Sequence, residues 1–404
     1  MPHHPEPRFT CTIPSIHDDT TLNCRVYHPD ILSRPRSGDS QERQQWRNRG
    51  IVIAHPYAPM GGSYDDRVVG IVVDEFLKRG WMVGTFNFRG AHGSKGRTSW
   101  SGRPELDDYI SFAAFFMHYL SYLHPLPASD AVFTPDQSPV SQKQSSADLS
   151  RSPTEQSPVL VLAGYSYGSL ILKHLPPVPS ILQPFANPAS GSAADEILLR
   201  AHKLADESNL EWINAARDNE RQKRSRGHEG KLSVTVGGEE TSPEKRRSSR
   251  EIRRSLDGRR SLDLSGRLRS LSHRRRKEGL PQTPTESSTA SLTITVPDVK
   301  YLLISPLMPP VSTLAAPVLG YKFWNKSHGV CQEVVAKHVS LAIFGDHDIF
   351  TSAKKVRDWA ERLKSESGSR FSSVEIAGAG HFWHEHGAEE KLRTALREWE
   401  AQVR

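Results

Sequence analysis

Along most of this chain, short runs of apolar residues alternate with segments of helical periodicity, which is the pattern of a largely parallel sheet with helical crossovers. Strands are predicted at FTCTIPS, TLNCRVYH, GIVIAHP, WMVGTFNF, PVLVLAG, VKYLLIS, VSLAIFG and SVEIAG. The first two, joined through HDDT, predict an antiparallel hairpin at the start of the sheet. Helical patterns fall near residues 64–79, 105–123, 169–175, 352–365 and 387–402, each between strands. The expected fold class is therefore α/β, a mostly parallel, doubly wound sheet of about eight strands.

Two stretches break this rhythm. Residues 124–155 and 176–296 are rich in Ser, Pro, Gln, Arg and Glu, with too few large apolar side chains to offset the entropy of ordering them. Both are expected to be largely disordered insertions, the first Ser/Pro-rich and the second basic and Ser/Arg-rich. One helix is expected inside the second, at 194–224, with Leu198, Trp212 and Ile213 among its apolar positions. The segments 1–123, 156–175 and 297–404 together have the size of one ordinary domain.

Charge is as uneven as hydropathy. Residues 221–280 hold 19 Lys and Arg against 8 Asp and Glu, so the overall +7 describes that tract, and the rest of the chain is slightly acidic. A basic nucleic-acid-binding surface on the folded part is thereby excluded, and only the tract itself suits a weak acidic partner. Kinases are expected partners too. Ser249, Ser255, Ser261, Ser270 and Ser272 follow arginines closely, and phosphate would cancel the local charge.

The chain has 404 residues, three of them cysteines, and its start lacks the charged, then apolar, pattern of a secretory signal. A reducing, cytoplasmic setting is expected, with Cys11 and Cys24 as buried free thiols on neighbouring strands. The basic runs at 245–247 and 274–278 make a nuclear setting the alternative. The most apolar helical stretch, residues 111–123, falls short of the ~20 residues that span a bilayer, so no transmembrane segment is expected.

Within VLVLAGYSYGSLILKH, the residues Gly164-Tyr165-Ser166-Tyr167-Gly168 form a G-x-S-x-G sequence between an apolar strand and a helix. A sharp strand-to-helix turn forces its serine into a strained conformation, and side chains two residues to either side would clash, hence the glycines. Such a turn lifts the Ser166 Oγ clear of the backbone and aims the Tyr167 N–H at a developing oxyanion.

On these residues the chain resembles the α/β-hydrolase superfamily, over nearly everything outside the two polar stretches. The resemblance implies a Ser-acid-His order. SLAIFG ends in Gly345-Asp346-His347-Asp348, and the family's acid commonly stands last in G-x-x-D, which is Asp348, with Asp346 as rival. Gly378-Ala379-Gly380-His381 then supplies the base at His381. A second oxyanion donor is implied after GIVIAHP. His55-Pro56-Tyr57 stands there, and since proline has no N–H the donor is Tyr57, with Ala58 next. His55 itself reads as structural. FNFRGAHGSKG resembles the superfamily's R-G-x-G-x-S loop but has His92 in place of a glycine.

What the resemblance implies is hydrolysis of a small-molecule carboxylic ester or thioester through an acyl-enzyme, with no cofactor. The Ser-Tyr-Gly of the elbow is also similar to prolyl-oligopeptidase-type peptidases, but nothing encodes their β-propeller, so peptidase activity is a secondary reading. A non-catalytic scaffold with a phospho-regulated basic tail is the alternative from another class. His381, His384 and His386 match no metal-binding spacing. Tyr57, Phe88, Tyr165, Tyr167, Trp324, Phe350 and Trp383 fall near the strand ends, as pocket or as packing. Both polar stretches run from the end of a helix to the start of a strand, opposite the edge where such sheets bind ligands. Deleting 180–294 is therefore expected to leave a folded, active protein.

Overall fold

A computed structural model describes residues 5–33, 48–124, 157–229, 294–321 and 334–403. Eight strands form a single sheet: β1 (Phe9–Pro14), β2 (Thr21–Tyr27), β3 (Arg49–Ala54), β4 (Met82–Phe86), β5 (Val159–Tyr165), β6 (Asp298–Ile304), β7 (Ser340–Gly345) and β8 (Phe371–Ile376). Their order across the sheet is β1-β2-β4-β3-β5-β6-β7-β8. The β1–β2 hairpin is antiparallel, as is β2 against β4, and every later pairing is parallel. This order and the serine turn after β5 define the α/β-hydrolase fold.

Parallel strands covered on both faces read as unbroken apolar runs. In β5, Leu160 and Leu162 point into one core layer, and Val161, Ala163 and Tyr165 into the other. Helices α1 (Arg67–Leu77) and α6 (Ala388–Val403) cover the second layer; α2 (Arg103–Ser121), α3 (Tyr167–Leu172), α4 (Ala193–Glu229) and α5 (Ala353–Ser365) contribute to the first. Glycines at two strand positions let α2 lie close on the sheet. A Cβ at Gly84 would come within 2.8 Å of Phe116, and one at Gly50 within 2.6 Å of Leu120.

The compact unit is larger than the sequence reading allowed. It comprises Met1–Glu220 and Ala290–Arg404, and Arg221–Thr289 forms a separate unit. Residues 176–220, expected to belong to the insertion, thus lie in the body. Ile181, Leu182 and Phe185 are buried there, as are Ile197, Ala201, Ala205 and Trp212 of α4. Polar contacts fix α4 in place. Trp212 Nε1 donates to the Leu32 carbonyl (3.0 Å), Asn209 Nδ2 to that of Tyr122 (2.8 Å), and Tyr119 Oη lies 3.1 Å from Ser208 Oγ.

The physical reason lies in α2, whose residues from Asp108 to Leu120 are all buried. A helix apolar on every side needs a second cover besides the sheet. Helix α4 helps supply it, and its long charged face hid its apolar stripe in the composition. Deleting 180–294 would remove these contacts of α4. Most of 124–155 and 230–293 lies outside the described residues.

Candidate active site

Ser166 sits on the turn between β5 and α3 with φ 53° and ψ −112°, a left-handed conformation that a non-glycine residue adopts at a cost of about 1–3 kcal/mol. Its surroundings hold it there. The Ser166 N–H donates to the Ile304 carbonyl (2.9 Å), and the Ser166 carbonyl accepts from Leu170 N–H and Ser169 Oγ. A Cβ at Gly164 would lie 2.3 Å from the Gly168 backbone, and one at Gly168 2.4 Å from the Ala54 carbonyl oxygen. Both glycines are therefore required by close approach.

The loop after β8 brings His381 over this serine, with Nε2 2.8 Å from Ser166 Oγ. On its other side Nδ1 lies 2.7 Å from Asp348 Oδ2. Asp348 is fixed in turn, because its Oδ1 accepts from the N–H groups of Phe350 (2.8 Å) and Thr351 (2.9 Å). Both His381 and Asp348 side chains are 3% exposed, so their interaction is shielded from water. Asp346 is turned elsewhere: its Oδ1 accepts from Gly378 N–H at 2.7 Å, bracing the loop that carries His381. The two loops interlock at Gly345, where a Cβ would lie 1.9 Å from the Ala379 carbonyl oxygen.

Gly168 packs directly on the end of β3, which brings the His55-Pro56-Tyr57 turn beside the elbow; the rings of Tyr57 and Tyr167 lie 5.0 Å apart. His55 is a buried strut. Its Nδ1 lies 2.6 Å from the Pro56 carbonyl and its Nε2 accepts from Phe88 N–H at 2.9 Å, so the ring is neutral and bridges the loops after β3 and β4. Burial pushes its pKa down to about 4. Tyr57 and Ala58 begin a short 3-10 turn, and Gly62 folds back to donate to the Tyr57 carbonyl (3.2 Å).

The loop with His92 is organised by Arg89, which sequence reasoning passed over. Its guanidinium donates to Asp108 (2.7 and 3.0 Å), Asp18 and Ser15, with Asp108 wholly buried. His92 contributes its backbone carbonyl, which accepts from Asn87 Nδ2. His384 faces away from the serine: its Nδ1 lies 3.0 Å from Arg67 and its ring stacks on Phe382. Among the described residues no cluster of three or more metal-ligating side chains occurs.

The aromatic set divides by layer. Tyr57, Phe88 and Tyr167 form one ring cluster, and Phe350 packs edge-on against His381 at 4.7 Å. Tyr165 and Trp383 lie in the opposite layer and act as clamps. Tyr165 Oη donates to the His381 carbonyl (2.9 Å), and Trp383 Nε1 donates to Ser305 Oγ (3.1 Å). No local sequence signal marks these two bonds, since their partners are 216 and 78 residues away. Trp324 lies outside the described residues.

The sheet order and its crossovers are those of the α/β-hydrolase fold. No family model matches the chain, and no curated protein matches its sequence. Solved structures similar to it include an α/β serine hydrolase homologue from Coxiella burnetii, at 12% identity and TM-score 0.43, covering 98% of this chain and 99% of that one. Another is XC6422 from Xanthomonas campestris, described as an α/β serine hydrolase without a lid, at 15% identity and TM-score 0.44, with coverage of 100% and 97%. A third is Est1E from Butyrivibrio proteoclasticus with bound ferulic acid, at 9% identity and TM-score 0.44, with coverage of 97% and 98%.

Proposed function

We propose that this protein is a serine hydrolase acting on a carboxylic ester or thioester, with Ser166 as nucleophile, His381 as general base and Asp348 as the group that orients it. The observation that carries the reading is the continuous hydrogen-bonded line Ser166 Oγ–His381 Nε2 and His381 Nδ1–Asp348 Oδ2, at 2.8 and 2.7 Å. In this reading Ser166 Oγ attacks the substrate carbonyl carbon as its proton passes to His381 Nε2. The charge on the carbonyl oxygen is taken by the N–H groups of Tyr57 and Tyr167, with Ala58 as the neighbouring donor. Collapse of the tetrahedral species breaks the bond to the alcohol or thiol, which leaves with the proton from His381. Water, deprotonated by the same imidazole, then attacks the acyl-serine and releases the acid.

Asp348 has both oxygens engaged, one by His381 and one by two backbone N–H groups, so it holds the imidazole in the tautomer that this sequence requires. The reading needs no cofactor. The test is labelling with a fluorophosphonate probe alongside turnover of a dissolved short-chain ester. Modification should map to Ser166 and vanish in Ser166→Ala together with turnover. A folded protein that neither labels nor hydrolyses esters or thioesters of graded chain length would overturn it.

A further inference from the structure

The helix that opens at Ser166 is followed by a lysine whose side chain turns into the protein. Lys173 is buried, which is rare for lysine unless a carboxylate faces it. Among the described residues no carboxylate pairs with this one, and burial alone pushes its pKa down to about 7. Its Nζ donates to the Leu307 carbonyl at 2.7 Å and lies 5.5 Å from the centre of the Trp359 ring on α5. An aliphatic side chain would fill the same space without the cost of taking an amine out of water. What the amine adds is the bond to Leu307.

That bond reaches further than its acceptor. The Leu307 carbonyl and the Met308 N–H belong to one peptide group, and the Met308 N–H donates to Thr351 Oγ1 at 3.2 Å. One peptide of the loop after β6 is thus gripped from both sides, by the nucleophile's helix and by the loop after β7. Lys173, Leu307, Met308 and Thr351 are all buried, and donation to the carbonyl polarises the peptide and strengthens its N–H as a donor. Thr351 in turn donates its own N–H to Asp348 Oδ1 (2.9 Å), while Asp348 Oδ2 faces His381 Nδ1. The path closes on the serine from two directions. His381 Nε2 meets Ser166 Oγ, and from the other end the Lys173 N–H donates to the Ser169 carbonyl and Ser169 Oγ to that of Ser166.

We propose that Lys173 is a positioning residue for the triad, a role that rests on the hydrolase reading: through the Leu307–Met308 peptide and Thr351 it fixes Asp348 relative to the helix that carries Ser166. The same loop holds its own comparison. Lys355 Nζ donates to the Pro309 carbonyl at 3.0 Å from the exposed side, where water competes for the bond. The peptide it grips runs into Pro310, which has no N–H to pass the contact on.

The test uses the full-length protein, one dissolved short ester and the variants Lys173→Met, Thr351→Val and Lys355→Met. Lys173→Met is expected to lower kcat about tenfold with KM little changed. Its melting temperature should stay at or above the parent's, because the unpaired buried amine is gone. Thr351→Val cuts the same path at the threonine, so the combined Lys173→Met/Thr351→Val variant should lose no more kcat than the worse of the two single variants. Lys355→Met should stay within about twofold of the parent. Parental kcat in Lys173→Met, a loss of kcat matched by a lowered melting temperature, losses that multiply in the combined variant, or an equal loss in Lys355→Met would each overturn the role of Lys173 and leave the hydrolase reading standing. A folded parent protein without Ser166-dependent turnover of any ester overturns both.

Discussion

The hydroxyl of Tyr165 donates a 2.9 Å hydrogen bond to the backbone carbonyl of His381. The residue before the serine thereby holds the residue that faces it, through a ring buried in the layer opposite Tyr167. Tyr165→Phe keeps the ring and removes only this bond, worth about 0.5–1.5 kcal/mol net. The variant is expected to stay folded while kcat on a short ester falls by about three- to tenfold, with KM little changed. Steady-state kinetics check this, and an unaltered kcat would show that the clamp does not position the imidazole.

Asp348 and Asp346 hold different partners, His381 Nδ1 and Gly378 N–H. Asp348→Asn leaves the shape intact but favours the wrong imidazole tautomer, so kcat should fall by about three to four orders of magnitude. Asp346→Asn retains an oxygen to accept from Gly378 N–H and should stay within a few-fold of the parent. Turnover of one ester by both purified variants decides the assignment; a reversed ranking would move the orienting role to Asp346.

Helix α4 is part of the body, and its removal should be costly. Trp212 is 7% exposed, lies 5.7 Å from the His28 ring and donates to Leu32. Trp212→Ala is expected to lower stability by about 3–5 kcal/mol in urea unfolding. Deleting 180–294 should leave no soluble folded protein, whereas a deletion confined to 230–289 spares every contact of α4 described above. Wild-type-like melting of the larger deletion would contradict the packing.

Two buried histidines, His55 and His118, and two half-buried ones, His28 and His174, predict acid lability. Burial lowers the pKa of His55, His118 and His174 to about 4 and that of His28 to about 3. In the unfolded chain they protonate near pH 6.5, so between about pH 6.5 and 4 unfolding takes up protons and stability falls as pH falls. Each contributes a slope approaching about 1.4 kcal/mol per pH unit. Among the described residues the His118 Nε2 has no hydrogen-bond partner, and its ring is buried against Tyr122 and Phe185. His118→Phe should therefore cost little at pH 7 and flatten the melting-temperature profile below pH 6 by about one proton. An unchanged profile would place the acid sensitivity elsewhere.

Much of this protein was decided locally and was legible in the chain. The eight apolar runs, the hairpin at the start and most crossover helices follow from periodicity, because the central strands bury both faces and most helices one stripe. The strained turn at Ser166 is written in Gly164 and Gly168, since only glycine tolerates backbone at 2.3 and 2.4 Å. What tertiary structure alone decided depends on partners distant in sequence. The Tyr165–His381 bond has neither a period nor a motif, the R-G loop pattern contains Arg89 but not its partner Asp108, and the two aspartates after β7 are told apart only by where Gly378 and His381 fall. Helix α4 was hidden for a different reason: its charged exterior dominates the composition, and its buried stripe has meaning only against the apolar back of α2, which the sheet by itself leaves half uncovered.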